Sequence, residues 1–134
     1  MGAIETYWAR CEGALVHGVN DCCMTVADTI LAAGGPDLMA EYRGRYTTRI
    51  GFVRAFRKRG HATLEEAIAA AFDAHGERVA FARDFDVGIA SYLAYGRPAV
   101  SPAFHQDGFW MLRSEHGLFA SMGNPRTIWR VVDA

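Results

Sequence analysis

The sequence predicts an α+β fold, in which a helical first half packs on one side of a small, mostly antiparallel sheet formed by the second half. Three observations lead there. Apolar residues recur at helical spacing as far as Gly76; short runs rich in Val, Ile, Phe, Tyr and Trp follow; and Gly, Pro, Asn or Asp separate those runs. No internal repeat or linker divides the 134 residues, so residues 1–134 read as a single domain.

The first predicted helix spans Glu5 to Val16, with Trp8, Cys11 and Leu15 on its apolar stripe. After the loop His17-Gly18-Val19, Asn20 and Asp21 are N-cap residues for a helix that starts at Cys22 and stops at Gly34-Gly35-Pro36. Cys22, Val26 and Ile30 share one stripe of it, while Cys23 points about 100° away, into packing. Residues 37–47 read as a short helical turn followed by an exposed link rich in Arg and Tyr. Thr48 caps a helix through Lys58, with Phe52, Val53 and Phe56 on the apolar side and Arg49, Arg54, Arg57 and Lys58 on the wet side. Thr63 and Glu66 form a capping box for an Ala-rich helix that ends at Gly76. The strands are expected at Val79–Phe81, Asp86–Leu93, Ala103–Leu112, Leu118–Met122 and Ile128–Val132, a sheet of about five strands.

Composition excludes several function classes. With 51% hydrophobic and 12% aromatic residues, the chain can bury a core without metal or disulfide staples. Fourteen Lys and Arg against fifteen Asp and Glu leave no basic footprint at the level of the whole chain, so nucleic acid is not expected as a partner. No run approaches the roughly 20 apolar residues of a membrane span, and the N-terminus lacks a basic start followed by an apolar stretch, so no signal peptide is expected. Three cysteines, two of them adjacent, argue against a disulfide framework. The histidines are scattered and no C-x-x-C pair occurs, so neither a metal nor another cofactor is expected.

Chemistry concentrates in HGVNDCCMTVAD, residues 17–28. A cysteine in the first turn of a helix meets unpaired backbone N–H groups and the positive end of the helix dipole, which favour the nucleophilic thiolate. Cys22 has that placement. Asp21 opposes it, since a neighbouring carboxylate disfavours a second negative charge unless cap donors absorb it. The other reading makes Cys22 a small buried residue of a well-packed helix.

The stretch HGVNDCCMTVAD, then GGPD, YRGRYTT, FRKRGHATLEEAI, FDVGIAS, the turn EHGLF and a closing IWRVV resemble, in that order, a family of small phage and prophage proteins. In that family a W-G-x-x-D-C motif opens the central helix, a G-D turn opens the sheet, and a G-L turn precedes a terminal A-W-R-V strand. The resemblance covers residues 7–132. It implies a papain-like, NlpC-type fold, a compact relative of cell-wall cysteine peptidases encoded beside tail genes. The implied partners are other tail-tip or baseplate proteins and peptidoglycan peptides, and the implied location is the virion tail tip, after synthesis in the host cytoplasm.

Carried over residue by residue, Cys22 matches the nucleophile and Asn20-Asp21 the polar pair before it. Asp86 matches the Asp of the G-D turn, with Phe85 in place of glycine, which implies a different turn. NlpC-type enzymes place their basic histidine where this chain has Ala99 or Val100. The candidate catalytic set is therefore Cys22, Asp21 and His105, the last lying five residues further along the same predicted strand. An odd shift turns His105 to the opposite face unless Pro102 breaks the alternation. His17, just before the nucleophile helix, is the other imidazole able to reach Cys22, and His116 reads as exposed in the G-L turn. The same resemblance also accommodates an inactive structural component of the tail tip.

Two features have competing readings. Arg43, Arg45, Arg49, Arg54, Arg57, Lys58 and Arg59 form either a solvated basic face or a surface for an anionic partner. Tyr92, Tyr95, Phe109 and Trp110 either line a sugar-stacking cleft or pack in the core and at the sheet edge.

Overall fold

The computed structural model describes residues 1–115 and 117–133. His116 lies outside the described residues. Four helices come first: α1 (Ala3–Cys11), α2 (Cys22–Ala32), α3 (Arg49–Lys58) and α4 (Leu64–His75). Six strands follow: β1 (Glu77–Val79), β2 (Val87–Ala94), β3 (Arg97–Gln106), β4 (Phe109–Ser114), β5 (Gly117–Ser121) and β6 (Ile128–Arg130). They form one antiparallel sheet in the order β1-β6-β2-β3-β4-β5. The α+β class is as expected.

The sixth strand comes from the segment Ala103–Leu112, expected as one strand. Asp107 (φ 49°) and Gly108 (φ 86°) both take left-handed backbone and fold it into a two-residue hairpin between β3 and β4. Tyr95 and Gly96 do the same between β2 and β3, with φ of 53° and 77°.

The helices bury one face of the sheet. Tyr7, Met24, Val26, Ile30, Phe56, Ile68 and Phe72 meet Val87, Phe104 and Trp129 in the main core. Side chains of the opposite face, Ala90, Ala103, Trp110, Leu112 and Ile128, form a second cluster. The sheet itself closes over that cluster. Two whole strands, β3 and β4, lie between Tyr92 on β2 and Phe119 on β5, yet their ring centroids are 4.8 Å apart, which requires the sheet to curl.

Local sequence chemistry accounts for the helix ends. In α4 the Glu66 amide donates to Thr63 Oγ1 (3.2 Å) while Glu66 Oε2 accepts from the Ala62 amide (2.8 Å), and Ala67, Ile68, Ala71 and Phe72 turn inward as expected. Helix α1 is shorter than predicted and uses a different stripe. Its inner face is Ile4, Tyr7 and Cys11, at the spacing i, i+3, i+7, and Trp8 stays 47% exposed. Residues 37–47 hold the expected turn, whose Leu38 and Met39 are buried among side chains of α2 and α4, but the link that follows is exposed at Arg43, Gly44 and Arg45 and not throughout. Tyr42 and Tyr46 are buried against α3, with the Tyr46 ring stacked 4.5 Å from Phe52 and Tyr42 edge-on to the same ring at 5.3 Å.

Candidate active site

The loop before α2 is closed by its own polar residues. Asn20 Oδ1 accepts from the Val16 amide (2.6 Å) and Asn20 Nδ2 donates to the Ala14 carbonyl (3.2 Å), so Asn20 ties the loop while Asp21 caps the helix. Gly18 holds φ at 85°, and a Cβ there would collide with the Tyr46 carbonyl. That turn brings the Gly18 amide to Asp21 Oδ2 at 2.7 Å.

Asp21 is buried and its oxygens are occupied. Oδ1 accepts from the Met24 amide at 2.9 Å, and Oδ2 accepts from Gly18 and from the Tyr46 hydroxyl at 2.6 Å. Three donors on one carboxylate absorb much of the charge that would oppose a thiolate next to it. Asp21 is therefore an architectural residue of the site, with no histidine among its hydrogen-bond partners in the described residues.

Cys22 is the first residue of α2 and is half-buried. The Met24 amide is taken by Asp21 Oδ1 and the Thr25 amide by the Asp21 carbonyl (2.9 Å), which leaves the Cys22 and Cys23 amides as first-turn donors with no acceptor among the described residues. Cys23 is 3% exposed, with its Sγ 3.8 Å from that of Cys22. The Cys23 thiol is held well above its ordinary range by its contact with the Cys22 sulfur, then by burial and by the negative charge of Cys22 and Asp21. Cys11 is also pushed up, chiefly by burial. Of the three cysteines, Cys22 is the one at the wall of a cleft of about 430 Å³.

That cleft runs between α2 and the near half of β3. Val100, paired with Ser91 on β2, turns with Pro98 to the helix-facing side and lines the cleft with Cys22, while Ala99 between them lines it at the strand edge. β3 pairs with β4 only over Phe104–Gln106, so Pro98 and Pro102 lie in the stretch where β3 has β2 alone as a partner. Leu15, Phe52 and Leu64 add apolar wall. Arg49 Nη1, from the start of α3, meets Glu115 Oε1 at 3.2 Å, an ion pair between two residues that line the cleft. His17 lines it as well, and no hydrogen bond joins it to Cys22 among the described residues.

His105 is not brought to this cleft. The pairing of β2 with β3 is regular from Val87↔Phe104 to Ala94↔Arg97, so Pro102 does not break the alternation. Pro102 and Phe104 face the helices, whereas His105 turns to the other face, 5.1 Å from the Trp110 ring and with Nδ1 3.6 Å from Asp84 Oδ1. Five residues of strand also separate it from Val100 by about 17 Å. The candidate set thus divides: Asp21 and Cys22 adjoin at the helix start, His105 stands apart, and among the described residues His17 is the histidine that lines the cleft.

The residues around Asp86 form a second polar node. Its buried carboxylate accepts from the Arg83 amide (2.8 Å) and, in a fork, from Arg130 Nε (3.1 Å) and Nη2 (2.8 Å). Phe85 beside it holds φ at 66°, in the left-handed region that favours glycine. Of the aromatic candidates, Tyr92 lines the cleft, Trp110 is fully buried, and Tyr95 and Phe109 are exposed.

Residues 3–131 match the family described as "Domain of unknown function (DUF6950)". The chain belongs to the DUF6950 family. No curated protein and no solved structure matches this DUF6950 chain significantly. No helix among its described residues is long and apolar enough to cross a membrane.

The sequence marks Ala99 and Val100 only as the place of a missing base, and it does not point to Arg49, Glu115, Ser91 or Pro98 as cleft residues. Their grouping depends on strand pairing and on the packing of α3, which no local spacing encodes.

Proposed function

We propose that this DUF6950 chain is a thiol-dependent peptidase or amidase of papain-like, NlpC-type descent, carried at a phage tail tip and directed at peptidoglycan peptides. The observation that carries the proposal is the position of Cys22, first in its helix and at the wall of a cleft opposite Ala99 and Val100. That wall is where the NlpC-type resemblance would put the basic histidine. The tail-tip assignment rests on the order of sequence motifs across residues 7–132.

In this reading His17 replaces the strand histidine. It accepts the Cys22 thiol proton as Sγ attacks the amide carbonyl carbon, and the Cys22 and Cys23 amides receive the oxyanion. The protonated imidazole then gives its proton to the leaving amine as the C–N bond breaks. Water, deprotonated by the same imidazole, hydrolyses the thioester and returns Sγ to the thiol. Arg49 stands where a substrate carboxylate would meet a cation.

One observation favours a second reading, an inactive structural component of the tail tip: apolar Ala99 and Val100 fill the base position. Mass spectrometry of peptides released from purified peptidoglycan separates the two. Release by wild type, lost in Cys22→Ser and His17→Ala variants that remain folded, is the expected result. No release, together with a Cys22 that alkylates no faster than a free thiol, assigns the structural role.

A further inference from the structure

Helix α3 separates two concave surfaces. Its Arg49 and Phe52 face the thiol cleft, while Gly51, Arg54, Ala55 and Lys58, at the spacing i, i+3, i+4, i+7, line a second groove of about 560 Å³. The far wall of that groove comes from the buried-tyrosine segment, through Glu41, Tyr42 and Arg45, and Arg59 closes one end with its guanidinium 5.7 Å from the Tyr42 ring centroid.

The cations of this groove differ from most others in the chain. Arg10, Arg43, Arg49, Arg78 and Arg130 each touch a carboxylate at 3.2 Å or less, and Arg113 donates to the carbonyls of Arg10 and Gly13. Arg45, Arg54, Lys58 and Arg59 have no carboxylate partner among the described residues. Four cations left unneutralised around one concavity repel one another, and an anion laid between them relieves that repulsion.

We propose that this groove binds a polyol-phosphate chain, a phosphodiester polymer that carries hydroxyls and no bases. Phosphates fit the four cations. Glu41, whose Oε1 also lies 3.7 Å from His75 Nε2, is the one carboxylate of the groove and accepts from hydroxyls, a role a bare run of phosphates would not fill. Base stacking has no platform, because Tyr42 is 3% exposed and covered by Arg59. The near-neutral whole chain also lacks the long-range field that draws duplex DNA. This inference goes beyond the thiol reading and does not depend on Cys22.

The test is titration of the full chain with a synthetic glycerol-phosphate oligomer, with duplex DNA of equal phosphate count and polyglutamate as comparisons. Binding should weaken steeply with salt and drop by about tenfold or more in Arg54→Glu/Lys58→Glu. Arg97→Glu/Arg126→Glu, an equal charge change at exposed sites outside the groove, and Cys22→Ser should leave it unchanged within about twofold. Arg45→Gln, on the opposite wall, supplies a second loss should the α3 double variant unfold. Binding that survives both groove variants, or that falls equally in the remote pair, overturns the proposal. So does absence of binding to the oligomer, equal binding of polyglutamate, or tighter binding of DNA, which would make the groove a nucleic-acid site.

Discussion

The Tyr46 hydroxyl donates to Asp21 Oδ2 across 2.6 Å, joining the segment before α3 to the cap of the helix that carries Cys22. The same carboxylate holds the Gly18 and Met24 amides, so one buried side chain sets both the loop and the helix start. Asp21→Ala should remove the cap and leave the Tyr46 hydroxyl and two amides without an acceptor, at a cost of about 2–3 kcal/mol. Urea unfolding measures this as a lower midpoint at constant slope. A loss under about 0.5 kcal/mol, the range of ordinary surface substitutions, would show that water satisfies those donors instead.

Alkaline pH should destabilise the fold in two successive windows. Cys23 is held above its ordinary value of 9.0, by the Cys22 sulfur first and then burial, and Tyr46 above 10.0, by burial first and then the Asp21 charge. Both groups are raised in the folded chain, so their contribution is complete below the unfolded values and declines as pH rises past them. Melting temperatures under reducing conditions should hold to about pH 8.5, then fall, first through the thiol window and more steeply above about pH 10. Cys23→Ala should shrink the first decline to the part carried by the buried Cys11 thiol and keep the second. A profile flat to pH 11 in wild type contradicts both assignments.

How much of this was legible in the sequence depended on the range of the interaction involved. The Thr63–Glu66 capping box, the Asp21 cap and the inward face of α4 are set within a few residues, and spacing located them. The alternation that turns His105 away from Val100 was equally local, and only the effect of Pro102 needed the observed strand pairing. Tyr42 and Tyr46 looked like link residues because their burial comes from rings on α3, beyond any short window. The three-residue spacing from Trp8 to Cys11 points Trp8 inward, yet Tyr7 takes that place, burying its ring while donating to the Leu112 carbonyl at 3.1 Å. The cleft walls depended on long-range pairing throughout.

Alkylation tests the thiol directly. Cys22 should react with iodoacetamide ahead of Cys11 and Cys23, whose thiols are both held up, so peptide mapping after brief exposure should find label at one site. If His17 assists, His17→Ala should slow Cys22 by about tenfold near neutral pH and change the pH profile of the remaining rate. An unchanged profile removes His17 from the mechanism. Cys22 reacting no faster than Cys11 removes the activated thiol altogether.

Two further substitutions separate the expected histidine position from the observed one. Val100 sits on the helix-facing side of β3 and lines the cleft with Cys22, whereas His105 lies on the opposite face beside Trp110. Val100→His places an imidazole at the wall position that the NlpC-type resemblance gives to the base, and it should raise the Cys22 alkylation rate near pH 7 by about tenfold, a gain within the usual range for a positioned base. His105→Ala should leave that rate within about twofold and cost about 1 kcal/mol, from the ring contact with Trp110 and the contact with Asp84. The opposite pattern, no gain at position 100 and a large loss at position 105, would place the functional imidazole on the far face of the sheet, which the regular β2–β3 register excludes without a slip of the strand.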